Sequence, residues 1–183
     1  MDIVARVRNI LLSPNAEWPA IALEPTDIAG LYKGYILLLA AIPALAKFLG
    51  FLVIGIPLGI ALTAAITSYV GSLVGVIVVA FIAAKLAPTF GGRDDLVQGL
   101  KLAAFSFTAA WVGGIFLVIP LLGQILQLLF ALYGIYLLYL GTTPVLSIAQ
   151  DRAVIFVIVL FAACIILGFI VSAVLVTAGM QMM

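Results

Sequence analysis

Histidine is absent from this 183-residue chain, cysteine occurs once, and charged residues make up only 8%. Each shortage removes a class of function. Without histidine, and without an acid between Asp27 and Asp94 or between Asp95 and Asp151, the chain lacks the groups that proton relays and cation sites in membrane transporters use. The same lack leaves no metal-ligand spacing, so neither a metal nor a cofactor is expected. No hydroxyl or thiol has a base within a recognisable sequence distance, which argues against an enzyme. Cys164, inside "LFAACIILGF", cannot form a disulfide within one chain and reads as a small buried hydrophobe. A net charge of +1 supplies no basic face for nucleic acid. No small-molecule substrate is identifiable from these residues.

What is present is hydrocarbon. Hydrophobic residues make up 67% of the chain, and the mean hydropathy is +1.42. A soluble domain needs about a quarter of its residues charged, so this chain is expected to face lipid. No secretory signal is expected, because the first long apolar run starts near Tyr35, behind a mixed-charge segment. Charge-free runs then count the spans, each needing about 20 residues. Residues 102–150 hold two spans and a turn, "IPLLGQ", with Pro120 and Gly123 as helix punctuation. The run after Arg152 holds one more, and residues 48–84 are too long for one span. The implied fold class is all-α: a polytopic membrane protein with five transmembrane helices and an N-terminal interfacial amphipathic helix. The spans are expected at about 28–49, 62–86, 95–118, 122–142 and 153–178. They form a domain of residues 28–183 behind a segment of residues 1–27. The linker 51–61, with Gly55, Pro57 and Gly59, is expected at the outer interface or dipping into the bilayer. Lys47 then lies at that interface or, alternatively, inside a later first span with its ammonium snorkelling outward.

The cations orient the spans. With the N-terminus inside, Arg6, Arg8, Lys33, Lys85, Arg93, Lys101 and Arg152 are cytoplasmic, and Lys47 alone lies outside. That asymmetry follows the positive-inside rule. Asp27, Asp94 with Asp95, and Asp151 open spans one, three and five, where carboxylates suit the exposed N–H groups of a helix start. All seven acids thereby fall on the cytoplasmic side, and the C-terminus is expected outside.

Before the first span, Ile3, Val4, Val7, Ile10 and Leu11 recur at helical spacing over an arc of about 120°. Arg6 and Arg8 flank that arc, where they would meet lipid phosphates. Ser13 and Pro14 break this helix and suit the N-cap and first position of a second one. In "SPNAEWPAIALEPTD", Trp18 reads as a headgroup anchor, or with Glu17 and Glu24 as a docking surface for a partner. Two carboxylates beside a bilayer need a reason to stay. Pairing with Lys85, Arg93 or Lys101 would lock the segment onto the loop between spans two and three.

Tyr32, Tyr35, Tyr133, Tyr136 and Tyr139 sit near the cytoplasmic ends of spans one and four and read as an interfacial aromatic belt. Gly30/Gly34, Gly55/Gly59 and Gly71/Gly75 are small-xxx-small pairs that suit close helix packing. On the fourth span Gly123, Gln127, Ala131, Gly134 and Gly141 share one face. It is expected to touch another helix, with Gln127 hydrogen-bonded across, or to line a conduction path.

"SPNAEWPAIALEP" (13–25), the five-helix layout and "LYGIYLLYLGTTPVLSIAQDRA" (132–153) together resemble the Yip family, and the last segment resembles its bacterial branch. These are five-span membrane proteins named for interaction with Ypt/Rab GTPases. The resemblance implies a membrane-organising or trafficking role through the cytoplasmic N-terminus. It also implies helix-mediated homo-oligomers or other membrane proteins as partners besides the lipid bilayer. For this chain the expected location is a bacterial inner membrane. The expected function is a non-enzymatic scaffold, with transport of a small solute, ion or lipid as the alternative.

Overall fold

The structure is a computed structural model that describes residues 2–119 and 121–181, with side chains through Ile170. Two short helices come first: α1, Ile3–Leu12, and α2, Pro14–Leu23. Five helices long and apolar enough to cross a membrane come next, at Ile28–Val53, Leu58–Phe90, Leu96–Val118, Leu122–Leu146 and Gln150–Ile170. The last continues as helix to Gln181. No strand occurs among the described residues, and the fold is all-α.

Local chemistry explains the boundaries. The Asp2 carboxylate accepts from the N–H groups of Val4 and Ala5, and Asp95 accepts from those of Val97 and Gln98. Asp27 accepts from Gly30 N–H at 2.8 Å. Each carboxylate thus satisfies donors that the first turn of a helix leaves open. Ser13 occupies the position before α2 without a side-chain capping bond, and Pro14 opens the helix. Span two ends in a 3₁₀ turn, Ala87–Phe90, closed by Gly91 at φ +82°.

The stretch expected as an eleven-residue linker is mostly helix. Span one continues to Val53, Gly55 turns the chain at φ +79°, and span two begins at Leu58. Helix satisfies its own backbone at membrane depth, whereas an open linker does not. Lys47 consequently lies inside the first span. Gly123, expected in a turn, is the second residue of the span-four helix. Pro120 lies outside the described residues.

Span three is the hub. Sixty-one per cent of its most apolar stretch is buried, against 22% for span five at the periphery. It packs on spans one, two and four, while span five leans on two and four. Lipid is as apolar as leucine, so spans associate by close packing rather than by escape from water. Glycines supply the approach: Gly50 meets the backbone of Leu117, Gly99 that of Ala80, Gly114 meets Pro43, and Gly134 faces the Ser106 carbonyl. Gly71 and Gly75, expected as packing residues, have nothing within 4 Å of an added Cβ. The small face of span two is open among the described residues.

Candidate functional site

The α1–α2 hairpin lies over one end of the bundle, packed on spans three and four. Its inner face is apolar. Ile10, Trp18 and Ile21 are fully enclosed, and Ile3, Val7 and Leu11 pack against the same core. Outside the hydrocarbon such burial does stabilise, by about 1.5–3 kcal/mol for each fully enclosed isoleucine. The arc that sequence spacing places on lipid is therefore turned mainly onto the protein itself. Val4 and Leu12 remain outward, 78% and 73% exposed.

Trp18 is neither a headgroup anchor nor an exposed contact. It is 1% exposed, meets Phe105 edge-on at 6.4 Å between ring centres, and rests against Gly141 of span four, where an added Cβ would fall 2.7 Å from the indole. Its Nε1 is buried without a hydrogen-bond partner among the described residues, so packing holds the ring. An amphipathic indole suits either an interface or a core, and only the position of Gly141 decides between them.

Glu17 and Glu24 converge on one cation. Arg6 donates through Nη1 to Glu17 and through Nη2 to Glu24, and its guanidinium lies 5.7 Å from the centre of the Phe105 ring. The Arg6 side chain is 12% exposed, against 14% for Glu17 and 36% for Glu24. The two acids are seven residues apart, two helical turns, which brings them to one face where a single planar fork reaches both. The internal clamp thus exists, but its cation is Arg6. Lys85 pairs instead with Asp94 at 2.6 Å. Lys101 donates to the backbone carbonyls of Ala22 and Glu24, at 3.2 and 2.7 Å, and the Gln98 amide also donates to Ala22. The segment is locked onto span three, not onto the loop before it.

Of the tyrosines, only Tyr136 is exposed like a belt residue, at 47%. Tyr35 is fully buried, stacks on Phe105 with ring centres 4.7 Å apart, and its hydroxyl meets that of Thr108 at 2.7 Å. A π-helical turn, Tyr32–Ile36, interrupts the α-helical register there. The Tyr32 hydroxyl donates to the Leu73 carbonyl, Tyr133 donates to Leu11, and Tyr139 accepts from Gln150. These rings tie elements together. On the fourth span Gly123, Gly134 and Gly141 make the expected close approaches, whereas Gln127 is half-buried and makes no hydrogen bond among the described residues.

Between the hairpin and spans one and three lies a cavity of about 310 Å³, lined by Ile21, Glu24, Thr26, Gly34, Lys101 and Phe105. Arg6, Lys101, Gln98 and Phe105 organise this end; sequence reasoning names Lys101 as a partner of the segment and places Arg6 on lipid, but it does not mark Gln98 or Phe105. The seven-residue spacing of the two glutamates is the available signal.

Five apolar helices under an amphipathic hairpin define a polytopic helical membrane protein. Residues 8–172 match the Yip1 domain, most of the chain. The protein belongs to the Yip family. No curated protein and no solved structure matches it.

Proposed function

We propose that this chain is a non-enzymatic membrane-organising protein whose N-terminal hairpin presents a preformed contact surface to other membrane proteins or to further copies of itself. The proposed location is a bacterial inner membrane, with the hairpin cytoplasmic and the C-terminus outside. The carrying observation is the clamp. Arg6 joins Glu17 and Glu24 within the hairpin and Lys101 ties the end of α2 to span three, while Val4, Leu12 and Leu23 are turned outward, Leu23 by 86%. A contact surface ordered before binding avoids the entropy cost of ordering at the encounter. Glu17 and Glu24 act in this reading as the frame of the surface, and Trp18 as its anchor in the core. Photo-crosslinking side chains at Leu12 and Leu23 in living cells test it. Protein adducts at these positions are expected, and adducts with lipid alone would overturn the reading.

The mixed-charge cavity beside Glu24 and Lys101 favours a second reading, a vestibule for a small solute, ion or lipid. Solute or lipid flux in proteoliposomes, lost on closing the cavity with Gly34→Leu, would favour transport over scaffolding.

A further inference from the structure

Among the described residues, Lys47 is the one cation at the end of the bundle opposite the hairpin. Every other lysine and arginine falls in α1, in the loop after span two, or near the hairpin-side ends of spans one, two, three and five. Lys47 makes no ion pair or hydrogen bond among the described residues, and no acidic side chain lies at its end of the molecule. It is six residues before the end of span one at Val53, about 9 Å of helix. That places its Cα inside the edge of the hydrocarbon and its ammonium within snorkelling reach of the headgroups. An ammonium at this depth is costly unless it finds a counter-charge.

The side chain lines an open groove of about 560 Å³ between spans one and two, together with Gly59, Thr63, Thr67 and Ser68. Hydroxyls in a membrane helix ordinarily turn back to the carbonyl four residues earlier. Thr63 does so, donating to Gly59 at 2.8 Å. Thr67 and Ser68 make no hydrogen bond among the described residues, so both keep a donor and acceptor for a ligand. An unpaired cation, two free hydroxyls and a glycine that leaves room beside them form an amphiphile-shaped site that runs inward from headgroup level.

We infer that this groove binds the headgroup of an anionic phospholipid, with the phosphate on Lys47 and the glycerol and ester oxygens on Thr63, Thr67 and Ser68. Charge selects the occupant. A second copy of this chain brings no acidic side chain to this end and would set two ammonium groups together. A zwitterionic headgroup brings an ammonium of its own that finds no acid there. An anionic lipid supplies the counter-charge in its phosphate, and the ester oxygens below that phosphate are partners for the free hydroxyls.

The test is native mass spectrometry of the full chain released from detergent in the presence of equal amounts of phosphatidylglycerol and phosphatidylcholine. Phosphatidylglycerol should be retained about fivefold over phosphatidylcholine, the preference that one lysine near a surface supplies. Lys47→Gln should abolish that preference, Lys47→Arg should keep it, and Thr67→Val with Ser68→Ala should reduce the retention of both lipids. Lys33→Gln, at the opposite end, should leave it intact. Equal retention of the two lipids by the unmodified chain would overturn the inference, as would a preference that survives Lys47→Gln or falls equally with Lys33→Gln. An unchanged melting temperature of Lys47→Gln in lipid-free detergent separates loss of binding from loss of fold, and the arginine and hydroxyl variants decide if that variant unfolds.

Discussion

A hydrogen atom in place of a methyl group has opposite consequences at two glycines of this chain. At Gly141 an added Cβ would stand 2.7 Å from both the Leu102 side chain and the Trp18 ring. Neither neighbour can retreat, because Leu102 and Trp18 are themselves enclosed. Gly141→Ala is therefore expected to destabilise by about 1–3 kcal/mol, the range for overpacking a filled core. At Gly71 nothing lies within 4 Å, and only the backbone freedom of glycine remains, so Gly71→Ala should be neutral or stabilising by up to about 1 kcal/mol. Thermal unfolding in detergent measures both. A Gly71→Ala loss as large as that at Gly141 would contradict the open face. Spacing alone ranks these positions wrongly, since small-xxx-small pairs identify a face but not its neighbour. Gly141 was legible as part of the span-four face, while Gly50, Gly99 and Gly114 were not, because their partners come from distant segments.

The α1–α2 hairpin is held as one element by a single fork. Arg6 reaches Glu17 and Glu24, and Lys101 reaches the carbonyls at the end of α2. Removing one partner of a buried ion pair costs about 3–5 kcal/mol because a charge is left behind. Glu24 is 36% exposed, so Arg6→Gln is expected to cost about 2–3 kcal/mol after allowance for solvent screening. Amide hydrogen exchange should then rise across Ile3–Leu23 while the spans stay protected. Changing Arg6, Glu17 and Glu24 to glutamine together should recover part of that loss, since all the charges leave at once. Exchange unchanged in Arg6→Gln would mean that Ile10, Trp18 and Ile21 hold the hairpin without the fork. The helical periodicity of α1 was readable from the sequence, and so was the proline start of α2. The destination of its apolar face was not. Five residues on one arc fit a bilayer and a protein surface equally well, and the choice rests on span three, which α1 meets from roughly a hundred residues away in the chain.

Charge distributes over the whole molecule in a way that packing leaves untouched. Spans one, three and five each start beside a carboxylate, at Asp27, Asp95 and Asp151. Turns of a few residues at Gly55 and Gly91 force neighbouring spans to run in opposite directions. All seven acids and seven of the eight cations are consequently gathered at the hairpin end, with Lys47 alone at the other. This architecture was largely legible because it depends on length and charge, which are local, and the helices extend expected span one from 49 to Val53, span two from 62–86 to Leu58–Phe90, and span four from 142 to Leu146. The same asymmetry gives a prediction of sidedness. Moving a lysine-rich loop across the membrane is opposed, and acids weigh little in that choice. Reporters fused after Gly91 and after Gly55 should therefore read opposite sides, with Gly91 cytoplasmic. Adding two lysines between Ile54 and Pro57, where Lys47 is the only nearby cation, should begin to invert or mix the topology. Adding them beside Arg93 should not. Identical readings at Gly55 and Gly91 would break the alternation of spans, and an inverted reading with intact alternation would show that charge does not orient this chain.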